Sequence, residues 1–374
     1  MPQAARCYVE ISRSRIASNY RAVCAAAGPG TQVMGVVKAD AYGHGAVEVS
    51  RVLTKEGARW LAVSSVEEGI ALRRAGIDCR ILVMAGVMPW ERESIREFHL
   101  TPTLHSVGEI ALFHEIGGIA GLDVHLKIDT GLNRLGTSAA AAEIAAAVLA
   151  SPGIRLEGLM SHFASAADFT SSQTDDQIRA FNEMTVALAA FGITPPLTHC
   201  ASTNAIAYAR PGAAKPLVRP GHAIYGYVSQ ARGNAPDSAL RVRPALSWKT
   251  RIVAIKDLPA GARVGYGGSF VSAAPMRIAV LAAGYADGIS HRLSNKGKVI
   301  AGGRLAPILG TVSMDLTTID VTASPQLKPG DEVTLLGREG DVSLDAQQIA
   351  KTAGTISYNV LCGISARVKR CYVD

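Results

Sequence analysis

Short apolar runs alternate with amphipathic, alanine-rich runs through the first two-thirds of the chain, and this alternation restricts the fold more than any other feature. Candidate strands lie at Val33–Val37, Trp60–Val63, Ile81–Met84, Thr101–Leu104, Val124–Ile128, Leu156–Ser161, Leu197–Cys200 and Leu217–Arg219. Candidate helices fall between them, among them Ala46–Lys55, Val66–Arg73, Ser106–Ile116, Ala139–Ala150 and Asp175–Phe191. A strand covered on both faces reads as a continuous apolar run. Repeated strand–helix units imply parallel strands with crossover helices. About eight such units fit a closed, TIM-like (β/α)8 barrel. An open doubly wound sheet is the competing arrangement.

The texture changes near residues 229–244, where SQARGNAPDS is polar and turn-rich. Beyond it come short strands punctuated by glycine and proline: Leu246–Ile255, Ile278–Ala283, Val299–Ile300, Thr317–Val321 and Glu332–Leu336. The expected organisation is a barrel over 8–235 and a mostly-β domain over 236–374. Tyr8–Ile11 suits a strand of either domain, so residues 1–12 are candidates to pair with the second.

Thirty-eight basic against 31 acidic residues leave a net charge of +7. The basic residues are scattered and aromatics are only 5%, thin for base stacking, so nucleic-acid binding is a poor reading. A small anionic ligand suits mild basicity as well. The longest apolar stretches, Ile144–Ala150 and Ile278–Ala283, are far short of a membrane span. The N-terminal MPQAARCYVEISRSR has no apolar core of a signal peptide, so a cytoplasmic protein is expected. The six cysteines form no CxxC pair, which argues for free thiols and against a zinc site.

The ends of the candidate strands carry the chemistry. The first runs into Lys38 within VVKADAYGHG. A lysine at a strand's C-terminal end stands in the barrel mouth, where it can lose solvation and serve as a nucleophile or Schiff-base former. An ordinary surface lysine is the plainer reading. The fifth leads into a short glycine-containing loop presenting Arg134, suited to a bidentate grip on a carboxylate or simply solvated. The sixth and seventh end in His162 and His199, the latter followed by Ser202, Thr203 and Asn204. The eighth continues through Arg219, Gly221 and His222. Loops after strands seven and eight of such barrels often bind phosphate, and Thr203 and Gly221 are placed for that.

These segments resemble the alanine racemases, a pyridoxal-phosphate-dependent family. VVKADAYGHG (36–45) looks like the family's cofactor-lysine motif. HLKIDTGLNRLG (125–136), GLMSHFASAAD (158–168), LVRPGHAIYG (217–226), VGYGGSF (264–270), AGYADG (283–288), LGTVSMD (309–315) and TISYNVLCGISARV (355–368) follow in the family's order. The resemblance runs from about residue 8 to 370. It implies a barrel holding pyridoxal 5′-phosphate and a C-terminal β-domain that completes a neighbouring subunit's site in a homodimer. Lys38 would bond the cofactor and serve as one catalytic base, and Tyr266 from the partner chain would be the other. Arg219 would face the pyridine nitrogen. Tyr42, Thr203, Gly221, His222 and Tyr358 would surround the phosphate, and His162 would pack by the ring. Arg134 and Met314 would hold the substrate carboxylate. Lys127 matches a lysine that is carbamylated in many members.

Racemisation removes the α-proton from one face and returns it on the other, with the cofactor absorbing the charge. Two groups on opposite faces are therefore required. Free tyrosine and lysine titrate near 10 and 10.4, so the site must lower both. An arginine at the pyridine nitrogen cannot accept a proton. It would leave the ring a weaker electron sink and suppress transamination. Two departures stand out: Ser202-Thr203 replaces the common Asn-Ser, keeping a hydroxyl, and His222 follows Gly221 where a small or apolar residue is usual. Tyr42 and Tyr358 would narrow the entrance and favour alanine, with serine hard to exclude. The competing functions are a broader racemase, a decarboxylase of the same barrel type, and a non-catalytic pyridoxal-phosphate carrier. Tyr266 and Arg219 argue against the last two. Synthesis of cell-wall D-alanine and alanine catabolism are equally compatible.

Overall fold

The computed structural model describes residues 5–213 and 215–374. Among these, two compact units are distinguished: Ile16–Ala41 with Ala46–Arg243, and the remainder, which comprises the N-terminal residues to Arg15, Tyr42–Gly45 and Pro244–Asp374. Residues 1–4 of the candidate 1–12 pairing segment lie outside the described residues.

The first unit is the expected barrel. Its parallel strands are β1 (Gln32–Val36), β2 (Trp60–Val63), β3 (Arg80–Val83), β4 (Thr101–Leu104), β5 (Leu122–Lys127), β6 (Ile154–Met160), β7 (Leu197–His199) and β8 (Leu217–Val218). They pair in sequence order, and β8 pairs back onto β1 through Gln32–Leu217 and Val33–Val218. The remaining seam is closed just beyond β7 and β8 by the parallel bridge Ser202–Arg219. That closure excludes the open sheet. All of Trp60–Val63 and Thr101–Leu104 are buried, which explains why these strands read as unbroken runs. Helices Val66–Arg74 and Val107–Gly117 start where Ser65 and Ser106 accept a hydrogen bond from the third helical N–H.

The second unit is mostly β, as expected, with a closure that was not. Leu246–Leu258 pairs with Met276–Leu281, then follow Thr317–Asp320, Arg304–Leu309, Lys298–Ala301 and Glu332–Glu339, which pairs back onto Leu246–Leu258. The ring of six antiparallel strands closes because Leu246–Leu258, at 13 residues, is long and irregular enough to serve both neighbours. Cys7–Ser12 adds antiparallel to Leu246–Leu258 and parallel to Lys369–Val373, so the N-terminal strand belongs to this sheet. No described helix is long and apolar enough to cross a membrane.

Candidate active site

Lys38 lies two residues beyond β1, at the C-terminal mouth of the barrel. The next four residues, Ala39 to Tyr42, all have φ between +50° and +55°. A left-handed turn of four non-glycine residues costs roughly 4–8 kcal/mol. Its backbone is held at three points: the Glu68 carboxylate accepts from Ala39 N–H at 2.6 Å, Ala41 N–H bonds Val37 O at 2.8 Å, and Asp40 accepts from Ala46 N–H at 2.7 Å. Glu68 also accepts from Ser64 N–H at 2.7 Å, tying the turn to the end of β2. Strain so placed is characteristic of functional sites.

Lys127 ends β5, and its side chain is buried. Burial, then the charges of Arg134 and Arg219, pull its amine down to about 8. The loop beyond it is cinched by Thr137 N–H to Lys127 O (2.8 Å) and Asp129 N–H to Thr137 O (2.9 Å). The Asp129 carboxylate accepts from the N–H groups of Gly131, Leu132 and Asn133. Gly136 is obligatory: φ is +114°, and a Cβ would sit 2.8 Å from Asp129 N. This loop presents the exposed Arg134.

Arg219 is buried. Its guanidinium donates to His199 Nδ1, to the carbonyls of His199, Ser161 and Cys200, and at a long 3.4 Å to His162 Nδ1. These partners are carbonyls and imidazoles. Burial lowers its pKa to about 10, which leaves it charged at neutrality. Burial, then Arg219, Lys127, Arg134 and Lys38, drive His162 down to about 3, so that ring is neutral. Thr203 Oγ1 accepts from Gly221 N–H (3.2 Å) and Ala223 N–H (3.1 Å), bringing the predicted phosphate residues together. The His222 side chain is stacked on Tyr227 at 5.1 Å, inside the core.

In the second unit, four of the sequence motifs converge. The hydroxyl of Thr311 bonds Tyr266 O at 3.2 Å. Tyr285 N–H and Ala286 N–H bond Ser313 O and Met314 O, both at 2.9 Å. Arg367 joins Asp287 (2.8 Å) and Asp315 (2.6 Å). Tyr266 and Met314 are exposed, by 76% and 55%. Tyr42 and Tyr358 pack with ring centroids 5.9 Å apart. Burial pushes the Tyr42 phenol up.

The barrel's residues fit an anionic, aldehyde-bearing cofactor. Four cations, Lys38, Lys127, Arg134 and Arg219, act on the single imidazole of His162. Asp129 supplies an opposing charge to Lys127. Such a cluster calls for an anion. Lys38 would supply an amine for a carbonyl, and the Thr203–Gly221 cluster would supply short polar groups for a phosphate. Sequence reasoning missed Glu68, whose role depends on a contact 29 residues away in the chain, and His125 and Glu157, which look like unremarkable strand residues.

Fold and site together define an enzyme of the (β/α)8-barrel class with a mostly-β second unit and a cluster of cations at the barrel mouth. The family model for the alanine racemase N-terminal domain matches residues 11–229, and that for the C-terminal domain matches 245–372. The alanine racemase of Syntrophobacter fumaroxidans is 39% identical over 363 residues, covering 96% of each chain. The alanine racemase structure from D-cycloserine-producing Streptomyces lavendulae superposes with a TM-score of 0.92 at 31% identity, covering 99% of this chain and 97% of that one. That from Bartonella henselae, described with covalently bound pyridoxal phosphate, gives 0.87 at 26% identity, covering 99% of this chain and all of the other. The chain belongs to the alanine racemase family.

Proposed function

We propose that this protein interconverts L- and D-alanine with pyridoxal 5′-phosphate, using Lys38 and Tyr266 as the two bases. The observation that carries the reading is Arg219, a buried cation held by carbonyls and imidazoles in a cluster of three further cations. The bound cofactor supplies the electron sink that makes the alanine Cα–H acidic. Lys38 would hold it covalently; Thr203, Gly221, the His222 backbone, Tyr42 and Tyr358 would receive its phosphate; and His162 would pack against its ring. Arg219, unable to take a proton, would keep the pyridine nitrogen unprotonated and disfavour transamination.

Arg134 and Met314 would hold the substrate carboxylate, which fixes Cα between the bases. The Lys38 amine and the Tyr266 hydroxyl then exchange one proton with Cα from opposite faces. Tyr266 is largely exposed, and proton transfer of this kind needs a dry site. Docking of a second copy would exclude water there, so the reading includes a homodimer with shared sites. A carbamate on Lys127 is supported by its depressed pKa: the neutral amine would add carbon dioxide and release a proton, and the resulting anion would offset the nearby charge of Arg134. The absence of disulfides among the described cysteines is compatible with the cytoplasmic location proposed here, where the enzyme would supply D-alanine for peptidoglycan.

The test is circular dichroism of L-alanine with purified protein and added cofactor. Decay to zero, abolished in Lys38→Ala and Tyr266→Phe, is expected. Decay of serine at a comparable rate would broaden the substrate class. A flat trace from a cofactor-loaded yellow protein would overturn the racemase reading.

A further inference from the structure

We propose that Glu157 and the two buried histidines His125 and His199 form a line down the barrel interior that positions the Arg219 guanidinium, making all three positioning residues for the reaction. The inference rests on the reading of Arg219 given above.

Donor and acceptor order settles the protons along this line. Arg219 donates to His199 Nδ1, so that nitrogen carries none and the His199 proton is on Nε2. His199 Nε2 lies 2.8 Å from His125 Nδ1, which must therefore accept. The His125 proton is then on Nε2, 3.6 Å from Glu157 Oε2, a contact of opposite polarity rather than a full hydrogen bond. Every N–H points away from Arg219 and toward the carboxylate. Both histidines are wholly buried, and burial keeps both imidazoles below their ordinary range and neutral.

The far end is anchored as firmly as the near end. Arg80, first residue of β3, grips both oxygens of Glu157 at 2.8 and 2.6 Å and reaches Asp123 at 3.1 Å. Its guanidinium lies 4.5 Å from the Trp60 ring centroid, and Trp60 packs on His125 at 5.3 Å. Gly158 leaves the room: a Cβ there would be 2.5 Å from the His125 ring. Two buried histidines whose only task is filling space would be replaced more favourably by apolar side chains. A directed chain ending on a carboxylate does something those could not. It holds His199 in the one tautomer whose lone pair faces Arg219, and it strengthens that acceptor by polarisation. Without it, the other tautomer would set an N–H against the guanidinium and displace it.

The test uses the cofactor-loaded enzyme with ¹⁵N-labelled histidine. Glu157→Gln keeps the shape and removes the charge. Asp123→Asn disturbs the same ion cluster without touching His125 and serves as the control. Glu157→Gln is expected to shift the His125 and His199 ring signals, to lower kcat about 10-fold with KM for alanine within twofold, and to raise the ratio of pyruvate formation to racemisation. Arg219→Lys should raise that ratio too, and the double variant should be no worse than the more severe single one. Asp123→Asn should change melting temperature alone. The relay is overturned if Glu157→Gln behaves like Asp123→Asn. If Glu157→Gln does not fold, Glu157→Asp, which retracts the carboxylate, is held to the same criteria. Should Arg219→Lys leave the pyruvate ratio unaltered, the reading of Arg219 fails. The ¹⁵N signals then decide the relay by themselves, a shift upholding it and no shift overturning it.

Discussion

The carboxylate of Glu68 accepts a hydrogen bond from the backbone N–H of Ala39, 2.6 Å away and one residue beyond Lys38. A side chain from the helix after β2 thus holds the left-handed turn that follows Lys38. Bonds to charged acceptors contribute about 1.5–3 kcal/mol each. Glu68→Ala, which loses this bond and the one from Ser64 N–H, should therefore destabilise the protein by about 3–6 kcal/mol in urea unfolding and weaken cofactor retention, with Glu68→Gln milder. Unchanged cofactor affinity in Glu68→Ala would separate the turn from the site.

The proposed sharing of sites between subunits makes a complementation experiment decisive. Lys38→Ala and Tyr266→Phe should each lose at least about 100-fold in racemisation. If Tyr266 serves the partner's Lys38, mixing the two after reversible dissociation restores one intact site per mixed dimer. Recovery of about a quarter of wild-type activity is then expected at equal amounts. No recovery, with mixed dimers verified by mass, would place both bases in one chain.

The Lys127 amine, lowered from 10.5 to about 8 by burial, links stability to pH. Between about pH 8 and 10.5 the unfolded chain holds the extra proton, so stability should rise with pH across that window. The penalty present below pH 8 is of order 3 kcal/mol. In carbon-dioxide-free buffer, Lys127→Met should be more stable than the parent at pH 7 and lose that advantage by pH 10.5. Added ¹³C-bicarbonate should give a lysine carbamate signal that disappears in Lys127→Met.

Gly136→Ala tests the loop that presents Arg134. With φ at +114° and Asp129 N 2.8 Å from the new Cβ, the substitution should cost roughly 1–3 kcal/mol of stability. It should also raise KM for alanine more than it lowers kcat, since Arg134 is read as a binding group. An unchanged KM would remove Arg134 from the carboxylate site.

The barrel strands were legible because burial on both faces leaves an unbroken apolar signature, as in Trp60–Val63, and because a lysine, two histidines and an arginine stand at or just past strand ends. The motif order revealed the family for the same local reason: each motif is contiguous. Local sequence could not say that Cys7–Ser12 lies between Leu246–Leu258 and Lys369–Val373, since a strand's pattern names its faces and not its neighbours. Nor could it show the closure of the six-stranded ring, which depends on one long strand pairing at both edges. Glu68 on Ala39, and Glu157 behind two histidines, are likewise contacts across tens of residues. The sequence by itself determined which chemistry this protein carries, through the residue types at its strand ends. Only the tertiary structure decided how those groups are held and charged, because distance and burial, which set each field and each tautomer, exist only once the chain is closed on itself.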